Sequence, residues 1–152
     1  MTPISFEQAL HRLAAYCSRG ERCVFDLRQK MRQWEIPEED QKKIVQRLQD
    51  EKFLDENRFC RAYVNDKWKY NHWGTQKIAA GLKEKQIPPS LIREALSGID
   101  SEVNREQLRQ LLANKRKTVK GGSEYEIRQK LIRFAIGRGF SFDDIEAALE
   151  RG

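Results

Sequence analysis

Cations interleaved with aromatic rings are the side chains here with the clearest chemistry. Asp66-Lys-Trp-Lys-Tyr-Asn-His-Trp-Gly74 sets Lys67 and Lys69 among Trp68, Tyr70 and Trp73. Ammonium groups hold phosphates, rings stack on bases, and the same rings also anchor protein interfaces. Trp68 lies five residues past Tyr63, off the stripe that Phe59 and Tyr63 share. Trp68 and Trp73 are therefore candidate exposed aromatics; the plainer alternative is that both pack a joint between two helices. A second cationic run, Lys115-Arg-Lys-Thr-Val-Lys120, precedes Gly121-Gly122. Arg105 and Arg109 stand before it, and Arg128 and Lys130 follow. Ten basic and three acidic residues fall between 105 and 138, which lifts the run above an ordinary solvated loop.

Catalytic chemistry finds no such concentration. There is no phosphate-cradling glycine loop, no HExxH and no nucleophile elbow. Glu38-Glu39 and Asp143-Asp144 fall at expected helix starts, where they complement the helix dipole. Cys17, Cys23 and Cys60 show no ligand spacing with His11 or His72, so no metal or cofactor is expected. An odd cysteine count, with no charged-then-apolar leader in Met-Thr-Pro-Ile-Ser, reads as reduced thiols in a cytoplasmic protein. No apolar run is long enough to span a bilayer, and no membrane partner is expected. A net charge of +6 and a pI near 9.3 favour a polyanionic or acidic partner. The reading is a binding protein, not an enzyme.

The elements that carry these residues are helices. Lys52-Phe53-Leu54 closes one helical pattern and Asp55 caps the next. On either side the chain repeats itself: Leu27, Met31, Ile36-Pro37 and Val45 return 51 residues later as Ile78, Leu82, Ile87-Pro88 and Leu96. Apolar spacing predicts helices over 5–19, 24–34, 38–51, 56–70, 75–85, 90–97, 102–116, 124–138 and from 141 onward. Ser5-Phe-Glu-Gln8 and Ser123-Glu-Tyr-Glu126 are capping boxes, and Gly20 stops the first helix. Val103, Leu108, Leu111 and Leu112 are expected on the apolar side of the seventh. Gly81, inside the fifth, calls for a close packing contact or a lax turn. The fold expected is all-α: three tandem three-helix repeats, 1–54, 55–100 and 101–152, in an elongated, curved array. Neighbouring repeats should share a core, since one triplet buries little alone. Their net charges rise along the chain, from +1 to +2 to +3.

Phe53-Leu-Asp-Glu-Asn-Arg-Phe-Cys-Arg-Ala-Tyr-Val64, then Trp73-Gly-Thr-Gln-Lys-Ile78, Leu82 and Ile87-Pro88, resembles the centre of the RecX family of bacterial recombination regulators. Gly139-Phe140-Ser141 extends the likeness into the third repeat. Cys60, Gly81 and Gln86 depart from the family pattern, which tends to have Ala, an acid and Gly there. The resemblance implies a monomer that lodges along the RecA–single-stranded DNA filament. It would restrain strand exchange, ATP hydrolysis and coprotease activity in recombination, DNA repair and the SOS response. Single-stranded DNA would be met directly or through the filament. The basic face would comprise Lys67, Lys69 and Lys77 in the second repeat and, in the third, the cations already named, Arg116 and Lys117 included. The alternatives are a helix-turn-helix regulator reading duplex sequence and a helical-repeat adaptor with no nucleic-acid partner.

Overall fold

The computed structural model describes residues 4–151, with side chains from 4 to 150; residues 1–3, on which the leaderless reading leans, lie outside it. Nine helices and no strand occur among the described residues. They are α1 (Phe6–Ser18), α2 (Val24–Gln33), α3 (Glu38–Asp50), α4 (Glu56–Lys69), α5 (Thr75–Glu84), α6 (Pro89–Leu96), α7 (Ser101–Arg116), α8 (Glu124–Gly137) and α9 (Phe142–Arg151). Of the two expected capping boxes, the one at Ser5 is complete, with Ser5 accepting from the Gln8 N–H while Gln8 reaches back; at Ser123 only half forms, the hydroxyl accepting from the Glu126 N–H.

The sequence repeat is, physically, a repeated stop signal. Ile36, Phe53, Ile87 and Phe140 each donate a backbone N–H to the carbonyl five residues earlier, at Met31, Leu48, Leu82 and Ala135. The residue before each is left-handed: Glu35 (φ 56°), Lys52 (φ 65°), Gln86 (φ 60°) and Gly139 (φ 95°). That is a Schellman stop, in which an apolar residue just past the helix folds back on its last turn. Gly20 works differently: α1 ends on right-handed Arg19, and Gly20 supplies no positive φ.

Each triplet has its own buried cluster, which corrects the expected shared core. Leu13, Leu27, Met31, Ile44 and Leu48 centre the first; Phe59, Ile78, Leu82 and Ile87 the second; Leu108, Leu131, Phe140 and Ile145 the third. Among the described residues exchange occurs at the first boundary alone, where Cys23 and Phe25 from the first triplet join the second cluster. Val103 is also corrected. It is 54% exposed and Asn104 takes the buried place beside it, whereas Leu108, Leu111 and Leu112 lie on the apolar side as expected. Gly81 makes the close contact anticipated for it: a side chain there would collide with the Tyr63 hydroxyl.

Two seams join the triplets. At the first, Glu56 accepts from the Val24 N–H (3.1 Å), and Arg58 Nε donates to Glu21 (2.8 Å) while its Nη2 reaches the carbonyls of Lys52 and Phe53. Asp26, buried, accepts from the Cys23 N–H and from Lys85 Nζ at 2.6 Å. Burial acts to lower the Lys85 pKa, but its hydrogen bond to Asp26 and that residue's charge leave it above the ordinary lysine value. The junction run thus becomes intelligible residue by residue. Leu54 enters the first core, Asp55 caps α4, Glu56 and Arg58 clamp the seam, and Phe59 enters the second core. At the second seam the backbones themselves meet, main chain to main chain. The Gly74 N–H donates to the Arg138 carbonyl (2.6 Å) and the Gln76 N–H to the Gly139 carbonyl (3.0 Å). Gly74 and Gly139 permit this approach, because a Cβ on either would strike backbone of the other side.

Candidate nucleic-acid interface

The α4–α5 corner gathers the second triplet's cations. Trp73 is turned back over the end of α4 by left-handed His72 (φ 57°), and its N–H donates to the Lys67 carbonyl (3.0 Å). The ring then has two ammonium groups near its centre, Lys67 Nζ at 4.9 Å and Lys77 Nζ at 4.6 Å. Lys67 also lies 5.4 Å from the centre of Tyr63, whose hydroxyl burial pushes above its ordinary pKa, so it stays neutral there. Lys77 Nζ crosses the second seam and donates to the Gly137 carbonyl (3.1 Å). From the other side Arg138 donates to the Asn71 carbonyl (3.1 Å). Arg138 and Lys115 both lie over Phe134, at 5.0 and 4.9 Å.

The resulting series has two halves that meet at the seam's backbone, Tyr63, Lys67, Trp73 and Lys77 on one side and Arg138, Phe134 and Lys115 on the other. Among the described residues none of its four cations has a carboxylate within ion-pair distance. Rings and carbonyls hold these charges in place without neutralising them, so the positive field is both ordered and undiminished. A surface of that kind attracts a polyanion with little ordering cost.

The other expected cations divide. Arg105 pairs with Glu102 and Arg109 with Glu106, both at 2.8 Å. Arg116 pairs with Glu124 across the connector (2.8 Å), and Arg128 with Glu146 (3.7 Å). These four are locally neutralised and do not join the series. Lys117 and Lys120 lie exposed in the α7–α8 connector, and Lys130 is exposed on the outer side of α8 beside Tyr125 and Arg133. Lys69 stands 5.8 Å from Tyr70.

The aromatic expectation is corrected. Trp68 and Trp73 are both half-buried against the second core, because α5 and α6 close over the end of α4. Trp68 lines a groove of about 590 Å³ with Val64, Leu91, Ala95 and Val103. Among the described residues the exposed rings are Tyr70, at 68%, Tyr125, at 70%, and Phe142, at 51%. Phe134 and Arg138 were not singled out from the sequence. Phe134 reads there as core, and Arg138 sits in a glycine turn whose partner, Asn71, is 67 residues away.

Among the described residues no group of three or more His, Cys, Asp or Glu gathers as for a metal. No helix there is long and apolar enough to cross a membrane. The three thiols are free and buried. Burial pushes Cys23 up to about 12 and Cys60 up to about 11, so both are protonated and inert near neutrality.

Family models match the chain twice: RecX second three-helix domain over residues 55–96, and RecX third three-helix domain over residues 102–149. Together they cover more than half of it. The chain belongs to the RecX family. It is 34% identical over 108 residues to the regulatory protein RecX of Clostridium botulinum (strain Alaska E43), a match spanning 68% of this chain and 49% of that one. It is 28% identical over 147 residues to the regulatory protein RecX of Leuconostoc mesenteroides, across 97% of this chain and 55% of that one. The chain thus spans about half the length of these two relatives. A crystal structure of regulatory protein RecX superposes with a TM-score of 0.88 at 24% identity, covering 95% of this chain and 73% of that one. That likeness shows the fold, an all-α helical repeat array.

Proposed function

We propose that this RecX-family chain is a regulator that lies along the RecA–single-stranded DNA filament as a monomer and restrains RecA's strand exchange, ATP hydrolysis and coprotease activity. Its setting is then cytoplasmic, in recombination, DNA repair and the SOS response. The cation–aromatic series across the second seam carries this reading. Lys67, Lys77, Lys115 and Arg138 offer ordered, unneutralised charge to a phosphate chain, and exposed Tyr70 offers a face to a base. Binding of this kind tracks backbone and not sequence, which suits a partner whose DNA varies from site to site. Three helical triplets in tandem add reach, and weak contacts linked along one body exceed the affinity of any alone.

The decisive measurement is RecA ATP hydrolysis on single-stranded DNA. The wild-type chain should lower it. Lys67→Gln/Lys77→Gln/Lys115→Gln, with helical content unchanged by circular dichroism, should need at least tenfold more protein for equal inhibition. Hydrolysis untouched by the wild type, or inhibited equally by the triple variant, rejects the reading. Unequal competition by duplexes of different sequence would instead favour the helix-turn-helix alternative.

A further inference from the structure

The first triplet is almost neutral by composition, with ten basic and nine acidic residues in 1–54, yet its cations gather in space. α1 and α2 enclose a cleft of about 250 Å³ lined by His11, Arg12, Tyr16, Arg19, Lys30 and Trp34. Arg12 lies 5.7 Å from the centre of Trp34, and Lys30 5.0 Å from that of Tyr16. Arg22 packs on Tyr16 at 3.8 Å and its Nε donates to the Tyr16 carbonyl (3.2 Å), which fixes the ring. Among the described residues none of Arg12, Arg19, Arg22 and Lys30 has a carboxylate within ion-pair distance, although the first triplet's acids are nearly as numerous as its bases. Those acids sit elsewhere: Glu21 and Asp26 serve the first seam, and Glu38 pairs with Arg28.

The repeat shows that this corner is not accidental. Shifted by the 51-residue period, Tyr16 falls on Lys67 and Arg22 on Trp73. Both triplets therefore place a cation–ring pair where the first helix turns into the second, with ring and cation exchanged. A cleft this small and open is below the roughly 300–1,000 Å³ of enclosed ligand sites, and fits one group of a passing chain. Its only aliphatic lining residue is Ala15, so it lacks the apolar anchor pocket that a bound peptide uses. Guanidinium and ammonium groups beside rings suit a sugar–phosphate backbone.

We propose that the α1–α2 cleft is a second subsite for single-stranded nucleic acid, holding backbone phosphate with Arg12, Arg19 and Lys30 beside the Tyr16 and Trp34 rings. The proposal rests on the reading that this chain binds single strands. It adds that the contact recurs at the equivalent corners of the first two triplets, so that the strand is engaged well beyond the second seam.

The three tryptophans make the test site-specific, since Trp34 lines this cleft while Trp68 and Trp73 belong to the second triplet. Their indole N–H resonances are followed while the full chain is titrated with a thirty-nucleotide oligothymidylate. Trp34 should shift in the same titration as Trp73. In Arg12→Gln/Arg19→Gln/Lys30→Gln the Trp34 shift should vanish and the Trp73 shift persist. The slope of log Kd against log salt should fall by about 2, from about 0.7 per lost single-strand phosphate contact. Arg19→Gln alone, at an exposed position, should lower it by about 0.7 and guards against misfolding of the triple variant. If Trp34 stays fixed while Trp73 moves, or the Gln variants keep the wild-type slope, the cleft is no subsite and the single-strand reading survives. If polyglutamate moves Trp34 and the oligonucleotide does not, the cleft takes an acidic protein segment and the proposal is overturned. If no indole moves and no binding occurs, the single-strand reading has failed and the subsite falls with it.

Discussion

The two seams do the same job with different chemistry. The first is keyed by side-chain charge: Glu21 with Arg58, Asp26 with Lys85, and Glu56 on the Val24 N–H. The second is keyed by uncharged main chain, Gly74 and Gln76 N–H groups on the carbonyls of residues 138 and 139, with Lys77 and Arg138 donating across it. Salt and pH act on the first kind of contact and barely on the second. The array therefore has one joint that answers to solution conditions and one set by shape. The cation–aromatic series lies across the rigid joint, where its spacing is held. The α1–α2 cleft lies beyond the responsive one.

The sharpest way to break this contrast is Gly139→Ala. Its φ of 95° is strained for any side chain, and the added Cβ would meet the backbone of Lys77. We expect a loss of roughly 2–4 kcal/mol in chemical denaturation, together with loss of oligonucleotide binding. A loss below about 1 kcal/mol would show that the second seam is not backbone-tight.

A smaller effect is expected at the first seam. Asp26→Ala removes the acceptor for Lys85 and for the Cys23 N–H, and should cost about 2 kcal/mol, since Lys85 keeps a third of its side chain in water. Cys23 is fully buried at this boundary and reports its opening. Thiol labelling should accelerate at least tenfold in Asp26→Ala, rise with salt in the wild type, and be unchanged by salt in a Cys23→Ala control. The same seam should loosen at alkaline pH. The Cys23 and Lys85 pKa values are raised on folding, so their stabilisation is complete below the unfolded values and fades as pH climbs towards about 12 for Cys23. The third triplet contains no cysteine, so its helices should outlast the first two in that range. Simultaneous loss of all three would contradict two distinct joints.

The smallest effect sharpens the picture without touching either seam. Gln86 is left-handed at a stop where Gly139 does the same work in the third triplet. Gln86→Gly should stabilise by roughly 0.5–1 kcal/mol and leave thiol labelling alone. Destabilisation would mean that the Gln86 side chain holds something its backbone does not suggest.

The helices and their stops were legible because their causes are local. Capping boxes, Ile-Pro turns and the 51-residue period are short-range patterns, and every helix appears within a residue or two of its expected span. Long-range consequences were not. The shared core was expected from the small apolar content of one triplet, but each triplet closes on itself through its folded-back Ile or Phe. Val103 lost its buried place because Asp100 starts α7 with Asn104 turned inward instead. Arg105, Arg109 and Arg116 count as positive charge in sequence, whereas α7 brings the first two against glutamates and the connector brings Arg116 against Glu124. The first triplet hides the opposite case. A net charge near zero averaged the acids of the seam with the free cations of the cleft, and only the fold separates them.

A joint made of main-chain atoms also has a consequence for variation. Every residue type but proline presents the same N–H and carbonyl, so most other substitutions at Gln76 and its neighbours leave the angle between second and third triplets as it was. Only Gly74 and Gly139 are held, each by the absence of a Cβ. The outer faces of α7, α8 and α9 are then free to drift without disturbing how the last triplet is mounted. In a saturation library, intolerance at this boundary should collapse onto those two positions, while the first boundary shows a scatter of coupled charge pairs. The molecule can thus retune what its far end touches while the mounting stays fixed.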